Sequence, residues 1–332
     1  MTVSTKRVFV LGATGTIGRA TVRALVDRGH EVVCFARPRA GVNGRLGAAE
    51  IAALFPGATV RFGDVTDPGS LSRDGFAGER FDAIVSCLAS RTGDPGDAWA
   101  IDHDAHLAAL QAAQAAEVGH MVLLSAICVQ KPLLAFQQAK RAFETALMES
   151  GMTYSIVRPT AFFKSLSGQV ERLKRGKPFL VFGDGELTAC KPISDSDLGR
   201  YLARCLEDGT LQDRVLPIGG PGAALTPRQQ GELLFSLMGR EPRFSHVPVR
   251  MLDAVIQVLS LAGRVSPAAA RKADLARIGR YYATESMLVW DVGAGRYDAE
   301  ATPSFGEDTL RDHYARLISG EATVERGDHA VF

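Results

Sequence analysis

Arg7-Val-Phe-Val-Leu-Gly12-Ala-Thr-Gly15-Thr-Ile-Gly18 is the stretch that decides the fold. Its first five residues form a short apolar, β-branched run, which reads as a buried strand. The glycines that follow permit a tight turn and a close approach of backbone to a ligand. From Ile17 to Arg28 the apolar positions recur with helical spacing. The start of that helix presents unpaired N–H groups and the positive end of its dipole, a combination that suits a pyrophosphate. Strand, glycine turn and helix start together give the context in which a glycine pattern points to a dinucleotide. Gly12, Thr14, Gly15, Thr16, Ile17 and Gly18 are therefore the first candidate cofactor-binding residues.

Outward from this stretch, apolar runs alternate with helical patterns. Val32–Phe35, Val60–Phe62, Ala83–Cys87, Met121–Leu124 and Tyr154–Val157 read as further strands, with helices over Ala49–Phe55, Ala98–Ala116 and Ala135–Ser150 between them. Near-continuous apolar strands joined by helices imply a parallel sheet covered on both faces. The fold class is α/β, a Rossmann-type doubly wound parallel sheet. After Arg158-Pro159-Thr160 the alternation ends, and Gly183-Asp184-Gly185 and Gly219-Gly220-Pro221-Gly222 separate shorter elements. Residues 1–160 are expected to bind the cofactor and 161–332 to form a smaller substrate-binding region. A helix over Asp195–Glu207 and a strand over Val215–Ile218 would return residues 195–218 to the main sheet, interleaving the two.

The second strand ends Cys34-Phe-Ala-Arg37-Pro-Arg39, without the acid that would accept ribose hydroxyls in an NAD binder. A guanidinium there suits a phosphate through charge-assisted, bidentate hydrogen bonds. NADPH is thus expected over NADH, with Arg37 and Arg39 as its readers; Arg39 equally fits a solvated loop cation. Asp64 and Val65 follow the third strand where related folds contact adenine. Leu88, Ala89 and Ser90 follow the fourth and should line the same cleft edge, and Pro159 closes the sixth. Asp64 and Ser90 also fit plain turn or cap roles.

The 332 residues are 46% hydrophobic, enough for a large core, and 38 basic against 37 acidic side chains leave a net charge of +1. No overall field recruits nucleic acid or an anionic surface. Cys34, Cys87, Cys128, Cys190 and Cys205 are scattered without zinc-ligand or cluster spacing, so no metal is expected. A strand begins almost at once, and no apolar run approaches the ~20 residues that span a bilayer, which sets the expectation of a cytoplasmic chain with no transmembrane segment. Met251–Gly263 reads as an amphipathic helix, with Asp253, Gln257, Ser260 and Arg264 on one face. Its broad apolar side is expected to pack on the core, with a lid or a foot on a membrane as the alternatives.

Leu123–Lys140, LLSAICVQKPLLAFQQAK, carries the chemistry. It resembles the stretch in which short-chain dehydrogenases end a strand with Ser and follow it with Tyr-x-x-x-Lys on one helix face. Ser125 and Lys140 are present, but Phe136 stands at the Tyr position, and a phenyl ring has no proton to exchange. Ordinary alcohol–ketone chemistry would lack its acid or base. Phe136 fits either core packing or a wall against nicotinamide or substrate.

With these features placed, the chain resembles the atypical, NmrA-like and isoflavone-reductase-like short-chain dehydrogenases, and more narrowly the NADPH-dependent divinyl chlorophyllide 8-vinyl reductases. The likeness extends over Val85–Arg91, Leu123–Lys140, Ser155–Ser165, Cys190–Ser194, Leu216–Gly222 and Arg277–Leu288. It implies reduction of the 8-vinyl group of a magnesium tetrapyrrole to ethyl in chlorophyll or bacteriochlorophyll synthesis. It further implies that Lys140 hydrogen-bonds the nicotinamide ribose, with Ser125 beside it. Phe162 or Phe163 would stack on the flat pigment, Lys164 would meet its propionate, and Tyr281 and Tyr282 fit either packing or proton donation. Contact with a photosynthetic membrane would be peripheral. Two alternatives stay open: a non-catalytic NADP-sensing regulator, since NmrA-like proteins also lack the Tyr, and a reductase of another conjugated alkene.

Overall fold

The computed structural model describes residues 4–41 and 44–323. Its strands, in chain order, are β1 (Arg7–Leu11), β2 (Glu31–Ala36), β3 (Ala58–Phe62), β4 (Ala83–Ser86), β5 (His120–Leu124) and β6 (Thr153–Pro159). They continue with β7 (Phe179–Phe182), β8 (Arg214–Ile218), β9 (Phe244–Val247), β10 (Val289–Asp291) and β11 (Arg296–Asp298). Two compact units emerge, one of residues 1–91, 96–159 and 195–216, the other of 92–95, 160–194 and 217–332.

The first unit is built on a seven-stranded sheet in the order β3-β2-β1-β4-β5-β6-β8. Strands β1 to β6 pair in parallel. Strand β8 runs the same way beside β6, since Asp213 N–H donates to Tyr154 and Thr160 N–H to Ile218. The chain steps outward from β1 to β3 and then returns to β4 on the other side, so the order reverses between β1 and β4. In such sheets the crevice beyond the carboxyl ends at the reversal is the ligand site. One register level carries Phe35, Leu11, Ser86, Leu123 and Ile156. Arg37, Gly12, Cys87 to Ser90, Ser125 and Pro159 consequently all leave the sheet at one edge.

Both faces of the sheet are covered. Phe9 stacks on Phe76 with ring centroids 4.4 Å apart and meets Phe81 edge-on at 5.3 Å, while Ile84, Met121, Phe143 and Leu147 extend the same core. The helix Thr16–Asp27 packs against Asp195–Arg204, and Gly199 makes that approach feasible: a Cβ there would lie 2.6 Å from the Ala20 carbonyl carbon. The segment read as one helix over Ala98–Ala116 is broken. Pro95–Trp99 is followed by a wide π-helical turn, Ala100–Ala105, before the α-helix His106–Ala115 begins. Such a turn shifts the side-chain register that a 3.6-residue period predicts.

The second unit has its own core of Phe163, Leu173, Phe179, Leu234, Tyr314 and neighbours, around the parallel pair β7 and β9. Its helices Val249–Ala262 and Pro267–Thr284 form a hairpin, and β10 and β11 an antiparallel ribbon. No helix among the described residues is long and apolar enough to cross a membrane.

Candidate active site

The glycine turn after β1 shows which glycines the fold needs and which it does not. A Cβ on Gly12 would sit 2.5 Å from the Cys87 carbonyl, and its φ of +71° is one that L side chains rarely adopt. One on Gly18 would collide with the Gly12 carbonyl and Ala13. Gly15 differs: its φ is −71°, and an added Cβ would meet only the Gly12 carbonyl at 3.4 Å. It stands as N-cap of Thr16–Asp27 and brings no side-chain oxygen to the first-turn N–H groups. A small residue unforced by packing or φ at a helix start fits close approach of a phosphate. The Ile17 side chain is buried, so only its backbone N–H is available to a ligand, and Thr14 and Thr16 are partly exposed.

At the end of β2, Arg37 and Arg39 are both exposed on either side of Pro38. Asp64, also exposed, folds its carboxylate back to accept from the Thr66 N–H at 2.9 Å and hydroxyl at 2.7 Å. Those bonds, with a smaller contribution from the Arg37 charge, hold its carboxyl below the usual range. Arg37 therefore lies within electrostatic reach of Asp64 at the same sheet edge. Val65 and Leu88 are partly buried and Ala89 exposed, while Pro159 is buried within β6.

The candidate constellation around Lys140 gains a residue that periodicity did not single out. Lys140 Nζ lies 2.9 Å from Asp102 Oδ1, with side chains only 11% and 0% exposed. Ser90 closes the other side of that carboxylate, its hydroxyl donating to Oδ2 at 2.6 Å and its N–H to Oδ1 at 3.2 Å. One turn on, His106 bonds Ser86 Oγ through Nε2 at 2.8 Å and the Ile101 carbonyl through Nδ1 at 2.8 Å. A carbonyl only accepts, so Nδ1 carries the proton and Nε2 accepts from Ser86. Burial and then the Lys140 charge push the His106 pKa down to about 4, leaving the ring neutral. The π-helical turn brings Asp102 here. Its sequence signal was an acid in an alanine-rich apolar run, four residues before a histidine.

The helix Ala135–Glu149 carries Phe136 and Lys140 one turn apart, and Glu144, one turn further, is fully buried against Arg158 of β6. Gln137 starts the helix by accepting from the N–H groups of Leu133 and Leu134 at 2.8 and 2.9 Å. Phe136 is half-buried. Ser125 is 5% exposed, and its hydroxyl has no partner among the described residues. A buried hydroxyl without a bond costs about 1–3 kcal/mol, which a ligand's polar group would recover.

In the second unit, Phe163 is 3% exposed, in the core and 5.3 Å from the His313 ring, which leaves Phe162 as the one of the pair open to a ligand. Phe162 beside it is partly exposed and bridges to Ile193, and Lys164 is partly exposed. Tyr281 is buried, while Tyr282 is 40% exposed.

A family model described as NAD(P)H-binding matches residues 12–209. Among solved structures, the leucoanthocyanidin reductase–NADPH complex of Vitis vinifera superposes with a TM-score of 0.67 at 16% identity, over 94% of this chain and 99% of that one, a likeness of fold. The photosystem II assembly factor Ycf39 of Synechocystis is 27% identical over 253 residues, 74% of this chain and 72% of that protein. The chloroplastic divinyl chlorophyllide a 8-vinyl-reductase of Oryza sativa subsp. indica is 52% identical over 331 residues, 98% of this chain and 82% of that protein. With 52% identity over an alignment that covers 98% of the chain, the chain belongs to the divinyl chlorophyllide a 8-vinyl-reductase family.

Proposed function

We propose that the chain is an NADPH-dependent oxidoreductase that reduces the 8-vinyl group of divinyl chlorophyllide or protochlorophyllide to ethyl. The observation that carries this reading is the 52% identity to a reductase of that name across 98% of the chain, since a glycine turn alone fits any dinucleotide enzyme. The Ycf39 likeness would suit a non-catalytic role, but it is half as strong and reaches only 74% of the chain.

Residues present suit the cofactor. Gly12 to Gly18 would cradle the pyrophosphate, Arg37 and Arg39 the 2′-phosphate, and Asp64, Val65, Leu88, Ala89, Ser90 and Pro159 would line the remainder. NADPH, when bound, supplies the hydride. Lys140, held by Asp102, would donate to the nicotinamide ribose and keep a positive charge near the reacting carbon. Ser125 would find its missing partner in a bound ligand.

The substrate explains the absent tyrosine. Hydride addition at the outer vinyl carbon would form its new C–H bond with the hydride's electrons and push the vinyl π pair onto the ring-attached carbon, delocalised over the macrocycle. Proton transfer to that inner carbon, from Lys140 or solvent, then completes the ethyl group. A delocalised anion makes less demand on a preformed acid than an alkoxide does, so a phenyl ring at 136 is tolerable and serves as a wall. Phe162 would stack on the pigment and Lys164 would pair with its propionate. The work would be done in contact with a photosynthetic membrane and not across it.

Mixing the protein with divinyl chlorophyllide a and NADPH tests this. The Soret band should shift to the blue as conjugation is lost, with NADPH consumed one for one and NADH much less effective. An unmoved band with a cofactor-binding, folded protein would leave a regulator or a reductase of another alkene.

A further inference from the structure

The hairpin helix Val249–Ala262 keeps a mixed side partly buried, Leu252, Ile256 and Leu259 together with Asp253 and Ser260, and leaves a second apolar strip outward. None of its residues is buried, which overturns the expectation that its apolar side packs on the core. Asp253 and Ser260, from the mixed side, bind Arg280 and Arg277 of the neighbouring helix Pro267–Thr284. Gly263 closes the turn, where a Cβ would lie 3.0 Å from Ala270 Cα. Met251, Val255, Val258, Leu261 and Val265 are 54%, 43%, 68%, 64% and 89% exposed. At 100° per residue Met251, Val255, Val258 and Leu261, with exposed Ala254 and Ala262 between them, fall on one continuous stripe about 15 Å long, and Val265 follows in the turn beyond the helix end.

Charge singles out what would cover that stripe. Arg250 and Gln257 border the stripe on the helix, Arg264 follows in the turn beyond it, and Arg271 and Lys272 lie early in the next helix, all exposed. The hairpin's acids, Asp253 and Asp274, are paired within it to Arg280 and Arg277. The remaining exposed charges of the hairpin are therefore basic.

We infer that this face docks on the surface of an anionic lipid bilayer, with the apolar stripe inserted among the acyl chains and the arginines at the headgroups. An interfacial helix combines these same features, an apolar face and a basic border. A second copy of the chain fits less well. A twofold contact would set the basic side chains against each other, and a single helix stripe is narrow for the roughly 800 Å² per partner of a stable interface. The inference rests on the reading above only for the kind of membrane; the docking does not require the reaction.

Flotation of the full chain with vesicles tests it. The protein should rise with phosphatidylglycerol–phosphatidylcholine vesicles, much less with phosphatidylcholine alone, and less as salt is raised. The pair Val258→Glu and Leu261→Glu, both exposed and so compatible with folding, should lower partitioning about tenfold or more. Circular dichroism would check the fold of that variant, and it should still turn over detergent-dispersed pigment. Three results would overturn the inference: no flotation of the wild type, equal flotation of the variant, or a dimer in sedimentation that the same substitutions dissolve. A variant that floats normally but loses turnover would assign the face to the pigment instead. Flotation without any vinyl reduction would retain the docking surface and refute the reaction.

Discussion

At the scale of single residues, the site turns on a buried ion pair and a missing hydroxyl. Asp102, with its side chain fully buried, is the anchor of Lys140. Asp102→Asn keeps the shape and removes the charge, leaving a nearly buried ammonium unpaired. We expect kcat/KM for the pigment to fall about a hundredfold and stability to drop by about 3 kcal/mol. A steady-state assay read beside a denaturant melt checks both, and unchanged turnover would remove Asp102 from the site. Phe136→Tyr restores the hydroxyl of the dehydrogenase pattern. On the proposed mechanism, in which the vinyl group needs no phenolic acid, that variant should gain nothing like the factor of ~10² that a positioned acid gives an alkoxide reaction. A hundredfold faster variant would contradict the mechanism. The placement of Phe136 and Lys140 one turn apart on a single helix was legible because their spacing is a local property of the chain. Asp102 was not, because its approach to Lys140 depends on a π-helical turn that no periodicity announces.

At the scale of elements, strand ends do the positioning. The register from Phe35 to Ile156 aligns five strands so that their following residues share one edge. The six strands read from apolar runs fall where β1 to β6 lie, since a doubly covered parallel strand writes itself as an unbroken apolar stretch. The loop after β2 gives the sharpest test of cofactor choice. Replacing Arg37 and Arg39 by Ala removes two exposed guanidiniums that no core contact requires. The KM for NADPH should rise about tenfold to a hundredfold with that for NADH unmoved, and a parallel rise for both would show that they do not read the phosphate. Elements whose faces are set by tertiary partners were less legible. The amphipathic pattern of Met251–Gly263 was plain, but which side turns inward involves Arg277 and Arg280 of another helix, which bind Ser260 and Asp253. Phe162 and Phe163 likewise shared one reading until packing buried Phe163.

At the scale of the whole molecule, buried histidines tie stability to pH. Desolvation holds His106 and His120 down at about 4, below the ordinary 6.5 of an unfolded chain. Between pH 6.5 and 4 the unfolded state binds more protons than the folded state, so stability is fully present above that window and falls as pH drops through it. Each histidine should contribute a slope of roughly 1.4 kcal/mol per pH unit there. The thermal midpoint should stay level from pH 8 to 7 and decline below 6.5, with a shallower decline in His120→Asn; a level midpoint down to pH 5 would contradict the assignment. The reaction itself is tested most directly by the fate of one hydrogen. NADPH deuterated on its transferred face, incubated with the protein and divinyl chlorophyllide a, should place the label on the terminal carbon of the new 8-ethyl group, as read by NMR. Label on the inner carbon, or an ethyl group without label, would contradict hydride delivery to a conjugated vinyl group in this site.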